Sequence, residues 1–420
     1  MRIRNLAALF RSNGFAKKKG IHPVAADAGF EAGPIDIVFD TNTGKIAKIE
    51  KTPALSEIFE PVFDASGLIA TAGFLDSHTH TLFAGSRENE FFMRWSGQSY
   101  RDIAAAGGGI HNTVLSTAKA TDHELTSLLE IRLAQMAAEG ATHVEIKTGY
   151  GLSAAEELRH LRVLKKFRAS TAAKSLAKIS VTFLGLHALP ARLDEAAFLE
   201  EMSSLLPIIR DESLAEFVDA FPEDGFFQLS TALKFAERAA SLGLRAKIHA
   251  DELSCLNSSE SFAKRGALSV DHLQHISSAG IEALSKLDTV ATLMPATSFF
   301  LGLGYADARK LLNAGARVAL ATDFNPGTAP ELGLHFTKTL AASQLKMSSA
   351  EILCALTYSA AAALGRELNE GQIDLGFQAD LCLWRTNTTN PSKALDEIIL
   401  LQRNPAFVFS NGAAITQAST

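Results

Sequence analysis

The sequence predicts an α/β protein: a (β/α)8 TIM-like barrel joined to a small β-sandwich-like unit that both chain ends build. Three observations carry this. From residue 67 onward, eight short β-rich runs alternate with longer stretches patterned as helices. Several runs are nearly continuous apolar segments, as parallel strands buried on both faces are. Ionisable residues gather at the C-terminal ends of the runs, which is where barrel active sites form.

The eight runs are 73–80, 143–149, 179–187, 216–223, 245–252, 268–275, 289–295 and 317–323. Between them, Thr121-x-x-Glu124 and Ser153-x-x-Glu156 fit helix capping boxes. Gly140 and Gly243 stand where helices end shortly before the next strand. Eight βα units in a row favour a closed barrel over an open doubly wound sheet.

A barrel needs about 250 residues, so the 420-residue chain leaves well over a hundred for a second unit. We assign residues 1–66 and 367–420 to that unit and 67–366 to the barrel. Strands are expected at 3–10, at 35–39 and 45–50 on either side of Thr43-Gly44, and at 371–373, 379–384 and 407–410. Residues 1–26 hold Arg2, Arg4, Arg11 and Lys17-Lys18-Lys19 and no acid. They read as a first strand with a basic loop in preference to a transit segment, which makes the expected location cytoplasmic.

At 47% hydrophobic and 20% charged, the chain has apolar material for one large core. A net charge of −6 argues against nucleic acid or anionic membrane as the main partner. No apolar run approaches the roughly 18–20 residues of a membrane helix. Three cysteines, Cys255, Cys354 and Cys382, form no Cys-x-x-Cys pattern and read as reduced, buried thiols.

The chemistry gathers at four strand ends. The first barrel strand closes on Asp76-Ser77-His78-Thr79-His80, and residues i and i+2 of a strand face the same way, so both imidazoles point into the barrel mouth. The fifth ends Lys247-Ile248-His249-Ala250-Asp251-Glu252, the sixth carries Asp271-His272, and the eighth ends Ala321-Thr322-Asp323. Taken singly, His249 could be a core histidine and Asp323 a helix N-cap. Four strand ends that aim ligand-type side chains at one axis point instead to a metal site. His78, His80, His249 and Asp323 are the expected ligands of one divalent ion, zinc or iron, which would activate water at neutral pH. Asp323 can take a proton from that water, and His272 can orient it or stabilise the oxyanion. Glu252, three residues past a ligand, can carry the proton to a leaving nitrogen.

In this order (His-x-His, His, His, Asp on strands one, five, six and eight) the chain resembles the amidohydrolase superfamily. The fourth strand, Glu216 to Phe221, lacks the lysine that binuclear members carbamylate, so one metal is expected. Within that superfamily, residues 85–90, 106–111, 145–152, 183–188, 249–252 and 323–328 resemble the imidazolonepropionases across nearly the whole barrel.

The resemblance implies a homodimer that hydrolyses 4-imidazolone-5-propanoate to N-formimidoyl-L-glutamate in histidine degradation. It implies that Arg87 grips the substrate carboxylate, which suits a planar bidentate donor. Tyr150 and His187 would contact the ring, with His187 polarising its carbonyl. Asn325, Gly327 and Thr328 would line substrate or product, and Glu252 would be the catalytic carboxylate. Gly107-Gly108-Gly109 is not a phosphate loop, because no Lys-Ser/Thr follows it. A ring deaminase of nucleobases and a non-catalytic barrel are the two other readings. The first needs no carboxylate clamp such as Arg87 with Tyr150, and the second would have lost ligands.

Overall fold

The computed structural model describes residues 1–55, 58–98 and 108–417. Eight parallel strands form the barrel: β6 (Phe74–Asp76), β7 (Ala141–Lys147), β8 (Lys178–Leu186), β9 (Phe217–Ala220), β10 (Arg245–Ala250), β11 (Ser269–His272), β12 (Val290–Leu293) and β13 (Val318–Leu320). Each pairs with its neighbour in sequence order. The first and last strands meet just beyond their named ends, where Thr79 bridges Phe324 in parallel and Asp323 N donates to His78 O at 3.0 Å. Asp76 reinforces this closure by accepting from Thr322 N at 3.1 Å and Thr322 Oγ1 at 2.6 Å. All eight expected runs hold strands, and each strand ends before its run does, because the polar tail of each run is already the loop that carries the site.

The chain ends build a second sheet, from β1 (Arg2–Phe10), β2 (Phe30–Asp40), β3 (Lys45–Lys51), β4 (Val62–Asp64), β5 (Leu68–Ala72), β14 (Leu381–Arg385), β15 (Phe407–Ser410) and β16 (Ala413–Gln417). Its order is β16-β15-β14-β5-β1-β2-β3, with β4 also beside β1, so both termini share one continuous sheet. Ile3, Leu6, Ile37, Leu68, Leu381 and Phe409 pack on one side of it as a core of its own.

Three details differ from the expectation. β5 belongs to this sheet although it lies past residue 66; its five residues are all buried, so its pattern matches that of a barrel strand. Residues 371–373 form no strand. Gly371 has φ +82°, and a side chain there would fall 2.8 Å from Thr357 O, so the segment turns tightly beside a helix. Cys255 is exposed, whereas Cys354 and Cys382 are buried; all three are free thiols.

The expected caps form to different degrees. Thr121 and Glu124 make the reciprocal box ahead of the helix Asp122–Ala138. Ser153 caps Ala154–Arg168 through Glu156 N, but the Glu156 carboxylate turns to Arg159 at 3.0 Å. Among the described residues, no helix is long and apolar enough to cross a membrane.

Barrel and sheet are tied by a polar cluster beneath β7 and β8. Lys178 Nζ lies 2.5 Å from Asp380 Oδ2 and 2.9 Å from Glu370 Oε1, and His143 Nδ1 lies 2.8 Å from Glu370 Oε2. Burial alone would raise the Glu370 carboxyl, but His143 and Lys178 hold it well below the usual carboxylate range. Lys178→Met would leave two buried carboxylates sharing one imidazole. We expect a stability loss on the order of 2–3 kcal/mol, under the full cost of breaking a buried pair because Lys178 is 19% exposed. Denaturant unfolding measures this, and a loss below about 0.5 kcal/mol would mean that the cluster does not hold barrel and sheet together.

Candidate active site

Five buried side chains from four strand ends converge at the C-terminal mouth of the barrel: His78, His80, His249, His272 and Asp323. The ligand atoms of His78, His80 and His249 lie within 4.8 Å of one another, and so do those of His78, His272 and Asp323. Asp323 Oδ1 stands 3.5 Å from His78 Nε2 and 3.4 Å from His80 Nε2, while its Oδ2 accepts from Thr297 Oγ1 at 2.6 Å. The strand ends bend sharply to deliver these groups. His272 (φ +83°), Leu273 (φ +68°) and Asp323 (φ +54°) all take left-handed backbone, which non-glycine residues adopt mainly where the surrounding structure compels it.

The donor set fits a cation. Among the described residues, His78 Nε2 and Asp323 Oδ1 are buried without a hydrogen-bond partner. Each such orphan costs about 1–3 kcal/mol, and a shared cation removes that penalty. Burial, then Lys147 and the neighbouring imidazoles, push His78 and His249 well below the ordinary histidine range. Burial likewise lowers His80 and His272 to about 3. All four are therefore neutral at pH 7 with lone pairs available, the state that metal ligation requires.

A charged floor lies under this cluster. His78 Nδ1 donates to Asp271 Oδ2 at 2.7 Å, and His249 Nδ1 lies 2.9 Å from Asp219 Oδ2. The His78–Asp271 hydrogen bond turns His78 Nε2 toward the centre, as carboxylates behind metal-binding histidines do, and Asp219 stands behind His249. Lys147 Nζ sits 2.9 Å from Asp219 and 2.9 Å from Glu145, and Lys247 Nζ donates to Ser269 Oγ at 2.8 Å. None of these was assigned a role from sequence. A signal existed: Glu145 and Lys147, and Lys247 and His249, are i, i+2 pairs on otherwise apolar strands, so each pair faces the barrel interior together.

Above the cluster lies a cavity of about 380 Å³ lined by Arg87, Tyr150, His187, Glu252, Asn325 and Thr328 alongside His80, His249, His272 and Asp323. Gly327 adjoins it, so close to Arg87 that a Cβ there would lie 2.1 Å from Nη1 and displace the guanidinium. Glu252 is buried, 3.5 Å from His272 Nε2. Burial, with Asp323 and Glu223 nearby, pushes its carboxyl well above the usual range. Burial raises the Tyr150 hydroxyl, so it remains a donor.

Two expected contacts look different in three dimensions. Arg87 is already engaged, its Nε and Nη2 donating to Glu90 at 3.0 and 2.7 Å, and Glu90 also accepts from Gly109 N at 2.9 Å. The Asn325 amide is spent on its own loop: it donates to Asp323 O and Thr328 Oγ1 at 2.7 Å each, and accepts from Gly327 N and Thr328 N. Ala106 and Gly107, part of the motif at 106–111, lie outside the described residues.

A family model described as the amidohydrolase family matches residues 105–400. The imidazolonepropionase of Caldanaerobacter subterraneus subsp. tengcongensis is 43% identical over 343 residues, covering 81% of this chain and 81% of that relative. That of Bacillus velezensis is 41% identical over 326 residues, 77% of this chain and 76% of the relative. A third, from Fusobacterium nucleatum, is 36% identical over 386 residues, 91% of each chain.

The chain belongs to the imidazolonepropionase family. The imidazolonepropionase motifs at 85–90, 145–152 and 323–328 are the segments that supply Arg87, Tyr150 and Asp323 to the cavity. Solved structures share the fold at much lower identity. An atrazine chlorohydrolase of Arthrobacter aurescens TC1, complexed with zinc, superposes with a TM-score of 0.73 at 16% identity over 99% of this chain and 95% of its own. An adenosine deaminase of Xanthomonas campestris with bound zinc gives 0.71 at 16% identity, over 98% and 92%.

Proposed function

We propose that this protein hydrolyses the ring amide C–N bond of 4-imidazolone-5-propanoate to N-formimidoyl-L-glutamate, a step of histidine degradation. The observation that carries this reading is one cavity whose lining holds both neutral histidines with Asp323 and Glu252 and the Arg87 guanidinium. A ring amide needs the first and a propionate tail needs the second.

His78, His80, His249 and Asp323 would hold one divalent ion, zinc or iron. Bound there, such an ion would supply Lewis-acid polarisation of the ring carbonyl and a water nucleophilic near neutral pH. Asp323 receives the proton as water adds to the carbonyl carbon, and His272, beside Glu252, orients the adding oxygen. Glu252, whose carboxyl burial pushes well above the usual range, gives its proton to the ring nitrogen as the C–N bond breaks, leaving a carboxylate and a formimidoyl group. The Tyr150 hydroxyl donates to the bound ring.

His187 needs a role different from the one expected. Burial and His80 lower it to about 3, so it is neutral, and its Nδ1 must donate to Gly149 O at 2.9 Å. Its Nε2 is then an acceptor. It suits a ring N–H of the substrate and cannot donate to the carbonyl.

Arg87 grips the carboxylate with the Nη1 donors that Glu90 does not take, beside the bare Cα of Gly327. Arg87→Ala should raise KM roughly 10–100-fold, the equivalent of one charge-assisted contact, with metal content intact. An unchanged KM would mean that the carboxylate binds elsewhere or is absent. Product analysis tests the reaction itself. Formimidoylglutamate without ammonia supports the proposal; ammonia release from a nucleobase by the same sample would replace it with ring deamination. A homodimer, expected for the family, and a cytoplasmic location, expected from the N-terminal segment, complete the proposal.

A further inference from the structure

We propose that Glu223 is a positioning residue for Glu252: it fixes the peptide that follows Glu252 and so aims the Glu252 carboxyl into the cavity. This rests on the role given to Glu252 above. The Glu252 side chain has little of its own to hold it. Among the described residues its carboxyl makes no hydrogen bond, and His272 Nε2 at 3.5 Å is too far for a strong one. Its direction therefore comes from the backbone on either side.

The backbone before Glu252 is fixed within its own loop. Asp251 takes left-handed backbone at φ +48°. Its carboxylate accepts from Leu256 N and Ser258 N at 3.1 Å each and from Ser259 N at 3.2 Å, besides both serine hydroxyls. The backbone after Glu252 is fixed from the neighbouring strand. Leu253 N donates to Glu223 Oε2 at 2.9 Å, and Ser254 Oγ donates to Glu223 Oε1. A peptide is planar, so holding Leu253 N also holds the plane that leaves Glu252 and, with it, the direction of the Glu252 Cα–Cβ bond.

Glu223 can serve as a fixed point because it is itself held. It is 2% exposed, on the loop after β9, and Asp224 N gives its Oε1 a second donor at 2.9 Å. Its main chain closes a turn, with Phe226 N donating to Glu223 O at 2.9 Å and Glu223 N to Phe227 O at 3.1 Å. Phe226 packs on Phe221 at 4.6 Å, and Phe221 lies against the His249 ring at 5.6 Å. One buried carboxylate thus joins the loops of β9 and β10, and Phe226 and Glu252, one from each, line the same cavity.

The competing account is that Glu223 only stabilises two loops. Steady-state kinetics on the full-length, metal-loaded protein with 4-imidazolone-5-propanoate separates the two, with Glu223→Met made alone and on Glu252→Gln. We expect Glu223→Met alone to lower kcat roughly 10–100-fold, the effect of a displaced catalytic group, with KM within about threefold and metal content intact. On Glu252→Gln the same change should cost less than about threefold, because residues that act as a unit are not additive. Glu223→Gln should recover part of the loss, since it keeps an oxygen for Leu253 N. Glu223→Asp, one methylene shorter, is read in place of Glu223→Met if that variant folds poorly. No loss in kcat, or an equal loss on both backgrounds, overturns the proposal and leaves Glu252 its role. Full turnover by Glu252→Gln, or none by the unmutated protein, overturns it together with the reading it rests on.

Discussion

Glu252→Gln is expected to keep its metal and lose roughly 100- to 10,000-fold in kcat, the range that general acid–base groups contribute. The position allows a clean test. Glu252 stands 3.5 Å from His272 Nε2 on the turn after β10. That turn is held by others: Leu253 N donates to Glu223 at 2.9 Å, and Asp251 accepts from Ser258 Oγ at 3.0 Å and Ser259 Oγ at 2.5 Å. Glutamine preserves the shape but carries no proton to give the departing ring nitrogen. Steady-state kinetics with metal analysis on the same sample measures the effect. Turnover within a few-fold of the unmutated protein would remove Glu252 from the proton path and leave Asp323 and His272 to carry it.

The second large effect is expected at Asp323. It is the carboxylate of the expected ligand set, and its Oδ1 faces His78 and His80 at 3.5 and 3.4 Å. Asp323→Asn keeps the hydrogen bond from Thr297 available but deletes the anion that offsets a divalent charge in a water-poor site. Metal affinity should fall beyond the 10–100-fold typical of residues behind the ligands. Asp219→Asn, which disturbs His249 from behind, should fall within that range. Competition against a chelator gives both numbers without reference to activity. An Asp323→Asn protein with undiminished affinity would mean that the ion sits among the histidines alone.

How much of this was legible in the sequence follows from which signals are local. The barrel was, because parallel strands buried on both faces leave apolar runs, and His78, His80, His249, His272 and Asp323 end those runs. β5 was misassigned because a strand covered on both faces reads the same in either sheet. β16, an edge strand, lacks a strong apolar pattern. The tilt of Arg87 toward Glu90 was not legible, because a side chain three residues along can hold an arginine or leave it free, and only the packed helix decides. The same holds for Lys147 and Lys247: their i, i+2 spacing to Glu145 and His249 was visible, but their meeting with Asp219 and Asp271 depends on strands that only the closed barrel brings together. His143, which sequence left without a role, proves to belong to the clamp on Glu370.

The most direct test of the account is to strip the protein of metal, add back zinc or iron in steps, and follow the loss of ring absorbance from fresh 4-imidazolone-5-propanoate at each step. The account predicts no turnover without metal, and a linear rise that ends at one ion per chain with formimidoylglutamate as the product. Full turnover in the stripped protein, or none at one ion per chain, would contradict it.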